Sequence, residues 1–173
     1  MNSLLRQLNQ SEIPCCLFFN RINHQQTISL FFSTISRLGN GLFWYILMFA
    51  LPFMYGKQAW IVILHMMTIA TVAYILYKLL KNETKRIRPY NYNKNILRNS
   101  PVLDQFSFPS GHTLHAVSFT TILLHYYPEW AIIAIPFTIL VAISRLVLGL
   151  HYPSDVAMGI FIGYLLATFS LLL

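Results

Sequence analysis

Five runs of this chain, at 42–55, 58–77, 113–127, 130–150 and 156–173, are apolar and almost free of charge. Nothing else in the sequence constrains folding as much. So many such runs within 173 residues point to an all-α integral membrane protein, because a small soluble domain cannot bury them all. Composition agrees: 56% of residues are hydrophobic and only 10% are charged, which excludes an ordinary soluble domain. The formal charge of +7 could indicate nucleic acid. Here, however, the positive residues cluster beside the apolar runs, so the expected anionic partner is a membrane surface or an anionic lipid.

The architecture expected is one bundle of about five transmembrane helices, residues 39–173, preceded by an amphipathic region at 1–38. That first region mixes Leu4, Leu5, Leu8, Ile13, Leu17 and Phe18 with Arg6, Asn20, Arg21, Asn23 and His24. It is too polar to cross a bilayer and apolar enough to lie on one, which reads as interfacial amphipathic helices. The apolar stretch 13–19 is short and is interrupted by Asn20-Arg21, so no cleaved leader is expected. Gly39-Asn40-Gly41 marks a turn, and Pro52 is expected to kink the first run. Several runs fall short of the ~20 residues of a straight span, so their polar flanks should extend the helices.

The connections alternate in character. Gly56-Lys57 and Pro128-Glu129 are tight turns, whereas 78–108 is a long polar loop and 151–155 a polar corner. Both polar connections therefore share one membrane face. Trp60, Tyr126, Tyr127 and Trp130 fall at the other, as an aromatic belt would. Gly159 and Gly163 have the small-xxx-small spacing that lets helices approach within the bundle. Cys15 and Cys16 are adjacent and have no other cysteine to pair with, so no disulfide framework and no metal site is expected from them.

Three cations, Lys81, Arg88 and Arg145, lie at span ends on the polar-connection face. Converging at a membrane boundary, they need an anion. Arg145 carries the most weight, because it follows fifteen uncharged residues and precedes Leu-Val-Leu-Gly-Leu. A guanidinium suits phosphate, engaging two oxygens at once. Lys85, Arg86, Lys94 and Arg98 read instead as anchors at the membrane surface. Pro109-Ser110-Gly111-His112 opens an apolar helix, with Ser110 as N-cap and Gly111 allowing close backbone approach, and such a terminus favours phosphate. His112 stands in its first turn and His151 before the last run. Asp155, four residues after His151, is close enough to hold one ring nitrogen and aim the other. His24, His65, His115 and His125 read as hydrogen-bonded structural residues.

Lys81-x6-Arg88-Pro89, Pro109-Ser110-Gly111-His112 and Ser144-Arg145-x5-His151-x3-Asp155 together resemble the tripartite motif of the type 2 phosphatidic acid phosphatase superfamily, over roughly residues 58–173. The resemblance implies a catalytic set of His151 as the nucleophile forming a phosphohistidine, Asp155 orienting it, and His112 protonating the leaving oxygen once substrate is bound. It also implies that Lys81, Arg88, Arg145 and the amides near Ser110 and Gly111 bind the phosphoryl group. No cofactor and no metal is implied, because the cations neutralise charge where magnesium does so elsewhere. Small bacterial polyprenyl-pyrophosphate phosphatases are similar in having a short amphipathic N-terminus and five spans.

Lys and Arg are concentrated on the catalytic face, which by charge bias alone would place it in the cytoplasm. The resemblance implies instead the periplasmic face of a bacterial inner membrane. The expected partners are a membrane lipid phosphate and the bilayer, with no nucleic acid and no obligate protein partner. Small size and five spans favour undecaprenyl pyrophosphate, ahead of phosphatidylglycerophosphate or phosphatidate. The loop 90–108, with Tyr92, Phe106 and Phe108, could cover the headgroup. A vanadium-dependent haloperoxidase uses a related site, but five apolar runs count against it. A non-catalytic lipid-phosphate binder or transporter would not need both His112 and His151.

Overall fold

The computed structural model describes residues 3–102 and 104–173; the extreme start of the N-terminal region, the Ser3 and Leu4 side chains and Leu103 of the long loop lie outside the described residues. Eight α-helices follow in order among the described residues: α1 (Ser3–Asn20), α2 (Gln26–Arg37), α3 (Phe43–Tyr55), α4 (Ala59–Thr84), the one-turn α5 (Pro89–Tyr92), α6 (Gly111–Tyr126), α7 (Ala131–Val147) and α8 (Pro153–Ser170). Each of the five apolar runs forms a helix, and no strand occurs among the described residues. Three stretches, Gln26–Thr84, Pro128–Val147 and Pro153–Ser170, are long and apolar enough to cross a membrane. The first is not one rod. It bends at a π-type turn over Leu38–Leu42, where Gly41 takes φ 131°, and again at Gly56. The break thus falls at Gly41, while Pro52 stays inside α3.

α6 is the central helix, with α8, α4 and α7 around it. Its partner α8 lies very close, because a Cβ on Gly163 would meet the Leu114 carbonyl oxygen at 2.5 Å and one on Gly159 the Ser110 carbonyl at 2.8 Å. The Ser118 hydroxyl uses that proximity to donate to the Gly163 carbonyl at 3.0 Å. The two glycines therefore serve packing within the bundle. A second layer of Trp44, Leu51, Met66, Ile122, Leu123 and Val141 fills the space between α3, α4, α6 and α7. The outer surface is as apolar as the core, with Phe49, Phe53, Leu64 and Ile132 exposed, the pattern of a bundle solvated by lipid.

The N-terminal helices are more tightly joined to this body than a surface-lying segment needs to be. α2 turns Ser29, Ser33 and Ser36 inward against α7 and leaves Leu30 and Phe31 outside. Asn20, expected among the polar surface residues, is buried: its amide donates to the carbonyls of Leu97 (2.9 Å) and Val147 (2.8 Å), and its oxygen accepts from Leu97 N–H (2.8 Å). Asn23, also read as polar surface, is buried and donates to Leu97 at 3.0 Å.

α4 runs further than its apolar stretch, and its last turn carries Lys81. It stops where Lys85 takes a left-handed φ of 46°, which turns the next residues back toward the bundle. The return loop is pinned there, with Ser107 N–H donating to the Arg86 carbonyl at 2.8 Å.

Candidate active site

Four chain segments bring their polar ends together around one cavity of about 400 Å³. Lys81 arrives on the last turn of α4, Arg88 just before α5, Gly111 and His112 at the start of α6, and Arg145 near the end of α7. His151 follows from the corner between α7 and α8. That corner is sharp because Gly149 takes φ 69° and the amides of Leu150 and His151 fold back onto the Arg145 carbonyl (3.1 and 3.2 Å). Away from these groups the cavity wall turns apolar and aromatic, with Trp44, Tyr45, Met67, Tyr74 and Tyr77.

Ser110 is the exception among the expected residues. Its N–H donates to the Asp155 carbonyl (3.0 Å), its hydroxyl pairs with that of Thr113 (2.9 Å), and it makes no side-chain cap of the α6 backbone. It is fully buried and does not line the cavity. Ser110 thus ties α6 to the start of α8 instead of offering its amide or hydroxyl to a ligand. The unpaired amides that a first helical turn leaves belong to the following residues, from Gly111 onward.

The pairing of the cations decides the electrostatics. Asp104, a residue of the long loop that spacing alone does not single out, places one carboxylate oxygen between Lys81 Nζ (2.9 Å) and Arg88 Nη2 (2.8 Å). Burial pushes the Asp104 carboxyl up, but the hydrogen bond and charge of Lys81, together with Arg88, outweigh it and hold its pKa below the ordinary value. Arg145 is different. Among the described residues no carboxylate pairs with it; Nη1 donates to the Ser36 hydroxyl, and Nε is buried without a hydrogen-bond partner. A buried guanidinium left in that state is costly, and it faces the cavity that His112, His115 and His151 line.

His151 is buried, and its Nε2 lies 3.3 Å from Arg88 Nη1. Arginine can only donate, so Nε2 carries the lone pair and the ring proton sits on Nδ1. Nδ1 faces Asp155 Oδ2 at 3.5 Å, too long for a hydrogen bond. The orienting contact expected from the four-residue spacing is therefore present as a direction, not as a formed bond. Burial first, then the positive charges of Arg88, Arg145 and Lys81, hold His151 well below the ordinary histidine pKa. It is a neutral imidazole with its free electron pair on the side of the cations.

Asp155 sits in the first turn of α8, where Oδ2 accepts from Tyr152 N–H (2.8 Å) and Oδ1 accepts from Arg86 Nη1 (2.7 Å). Arg86 reads in the sequence as a surface anchor, and the structure corrects this. It is completely buried and bonds Asn9, Glu12, Ser154 and Asp155. The left-handed residue at Lys85 turns it inward, an event that composition cannot show. A scarcity of acids is the available signal: twelve Lys and Arg share five Asp and Glu, so any buried arginine must find one of very few carboxylates. His115, read as structural, does hydrogen-bond the Gly111 carbonyl at 3.0 Å.

Residues 58–173 match the family model described as the PAP2 superfamily. In sequence the chain is 32% identical over 93 residues to an undecaprenyl-diphosphatase of Sulfolobus acidocaldarius, covering 53% of this chain and 45% of that protein. It is 28% identical over 156 residues to phosphatidylglycerophosphatase B of Bacillus subtilis, covering 84% of this chain and 68% of that one. The chain thus spans about half to two thirds of the length of these curated relatives. In structure it superposes on the crystal structure of Aquifex aeolicus LpxE with a TM-score of 0.76 and 26% identity, covering 90% of this chain and 93% of that one. With a family match over two thirds of its length and the same fold in a solved relative, this chain belongs to the PAP2 superfamily.

Proposed function

We propose that the protein is a metal-independent membrane lipid phosphatase that works through a phosphohistidine. The observation that carries this reading is Arg145: a buried guanidinium with no paired carboxylate among the described residues, facing a cavity that also holds three histidines, His112, His115 and His151, and two further cations. A phosphoryl group supplies the missing charge, and its planar pairs of oxygens match the guanidinium fork.

In the proposed reaction His151 Nε2 bonds to phosphorus as the bond from phosphorus to the leaving oxygen breaks. That oxygen takes a proton from His112. Water then attacks the phosphohistidine, the liberated phosphate leaves, and His112 recovers a proton from the water. Lys81, Arg88, Arg145 and the Gly111 end of α6 hold the oxygens as charge builds on them. Asp104 occupies the Lys81–Arg88 pair while no phosphate is present and is displaced when one enters. Asp155 carries the negative charge that stabilises a positively charged, phosphorylated imidazole.

The bundle of residues 39–173 is the catalytic domain, with α3, α4, α6, α7 and α8 as its five spans, and residues 1–38 lie along the membrane interface. The substrate is a lipid phosphate whose tail follows the aromatic wall of the cavity. Undecaprenyl pyrophosphate is the preferred candidate, since one relative is named for that activity. Phosphatidylglycerophosphate is the second, since another relative is named for it and is matched over more of the chain. The site belongs on the periplasmic face of a bacterial inner membrane.

The test is phosphate release by purified protein in detergent, with chelator, from undecaprenyl pyrophosphate, phosphatidylglycerophosphate and phosphatidate. The best substrate identifies the lipid class. His151→Ala should lower turnover by a factor on the order of 10⁴ or more. A His151→Ala protein that turns over like wild type would sink the phosphohistidine mechanism.

A further inference from the structure

Arg86 lies between two carboxylates from different parts of the chain. Its Nη1 donates to Asp155 Oδ1 (2.7 Å) and to the Ser154 hydroxyl (2.6 Å), its Nη2 to Glu12 Oε2, and its Nε to Asn9 Oδ1 (2.9 Å). Glu12 in turn accepts from Ser154 N–H (2.7 Å) and the Ser154 hydroxyl (2.8 Å). The guanidinium also lies over the Tyr152 ring, 4.0 Å from its centroid. α1 is thereby fastened to Arg86 and the first turn of α8 through Asn9 and Glu12, which lie outside residues 58–173, the segment that matches the family.

The arrangement has an electrostatic consequence. Asp155 is useful to His151 only while its negative charge is not cancelled. A lone Arg86 in contact with it would form a neutral pair. Glu12, as a second carboxylate on the same guanidinium, brings the trio to a net charge of −1. It also draws Arg86 toward α1, leaving Oδ2 of Asp155 directed at His151 Nδ1. We infer that Glu12 and Arg86 are positioning residues for the reaction proposed above, acting through Asp155, so that the N-terminal helix is part of the catalytic apparatus. This inference rests on that reading of the site.

The test uses the full chain in detergent and compares wild type, Glu12→Gln, Arg86→Lys, Asp155→Asn and the double variant Glu12→Gln/Asp155→Asn. Vanadate inhibition is measured alongside hydrolysis. Glu12→Gln should lower kcat on the order of tenfold to a hundredfold, the usual cost of losing an outer group that orients a histidine. KM should hardly move, because Lys81, Arg88 and Arg145 are untouched, whereas vanadate, which bonds the same His151 Nε2, should inhibit several-fold less. In the Asp155→Asn background the same change should cost nothing further, since a residue acting through Asp155 has nothing left to act on.

A full additional loss in the double variant, or wild-type kcat in Glu12→Gln, would overturn the inference. Should Glu12→Gln fail to fold, Arg86→Lys carries the test: it keeps the charge but loses the planar fork that reaches Asn9, Glu12, Ser154 and Asp155 together, and unchanged kcat there also overturns it. Wild-type turnover in Asp155→Asn is a separate result, because it removes the proposed mechanism itself and the inference with it.

Discussion

The two ends of the bundle are both rich in polar side chains, and they treat them in opposite ways. At the tight-turn end Tyr55 stacks on Tyr127 with centroids 3.8 Å apart, Trp130 donates to the Tyr55 hydroxyl at 3.1 Å, and Tyr55 donates to Glu129. His65 bridges Tyr126 and Ser170 at 3.2 and 2.8 Å. These groups are partly or wholly exposed, and each has found a neighbour. At the other end four cations, a histidine and an aspartate are buried, yet Arg145 Nε and His151 Nδ1 have no hydrogen-bond partner among the described residues. An unmade hydrogen bond costs about 1–3 kcal/mol when buried and little beside water. A fold selected only for stability would reverse that distribution. The end that bears the cost is the end prepared for something the chain does not itself contain.

The strongest test of this contrast removes the unpaired cation. Arg145→Met should reduce turnover by about 10²–10³, in the range found when one transition-state donor is lost. Replacing an uncompensated buried charge with an apolar group should leave thermal stability unchanged or raised. Phosphate release and a melting curve on the same preparation check both. A variant that is inactive because it no longer melts cooperatively would remove the contrast between the two ends.

The close approach of α6 and α8 predicts the next effect. Gly163→Ala would set a methyl 2.5 Å from the Leu114 carbonyl, in mid-bundle, and should cost about 1–3 kcal/mol of stability through overpacking. Gly159→Ala meets the Ser110 carbonyl, which lies under the site, and should lose activity at temperatures where the protein stays folded. Denaturation and activity measured side by side separate the two glycines.

Asp104→Asn probes the catalytic end from within. It withdraws the internal anion that occupies Lys81 and Arg88, so vanadate should inhibit several-fold more strongly. Weaker vanadate inhibition would show that Asp104 holds the cations in place for the ligand. The pH profile is a companion test. In the proposed mechanism His151 must be neutral to attack, and burial with three neighbouring cations depresses its pKa. The acid limb of kcat/KM should therefore lie below the pH at which an ordinary histidine titrates, as lowering the pH protonates His151 only there.

Much of the fold and of the site is legible in the amino-acid sequence. Apolar runs with sharply different connections form helices whose ends alternate, and the spacing of Lys81, Arg88, His112, Arg145 and His151 puts them at helix ends that the fold brings to one cavity. Those signals are local. What stays hidden depends on long-range turns. Arg86 reads like Lys85, Lys94 and Arg98, as an anchor at the membrane surface, until a left-handed residue points it inward. Asp104 belongs to a loop with no periodicity to interpret. Asn20 and Ser36 look like surface polarity, because burial of a polar residue is decided by the carbonyl or guanidinium it meets far along the chain. The serines at 29, 33 and 36 do carry a helical stripe, and its meaning reverses in a membrane, where the polar face turns to protein.

Glu129→Gln should have the smallest effect, and that smallness carries information. Glu129 is an ion at a helix start that accepts directly from a tyrosine hydroxyl, a close side-chain pairing like those at the catalytic end. Distance alone would rank it with Asp155–Arg86. It differs in being bathed by solvent, where water replaces either partner at little cost and salt screens the charge. Glutamine keeps an oxygen for the Tyr55 hydroxyl, and the stacking of Tyr55 on Tyr127 does not involve the charge. Turnover and melting temperature should be indistinguishable from wild type at both low and high salt. A clear loss of stability in Glu129→Gln would mean that the turn end also carries charge on which the fold depends, and burial would no longer separate the two ends.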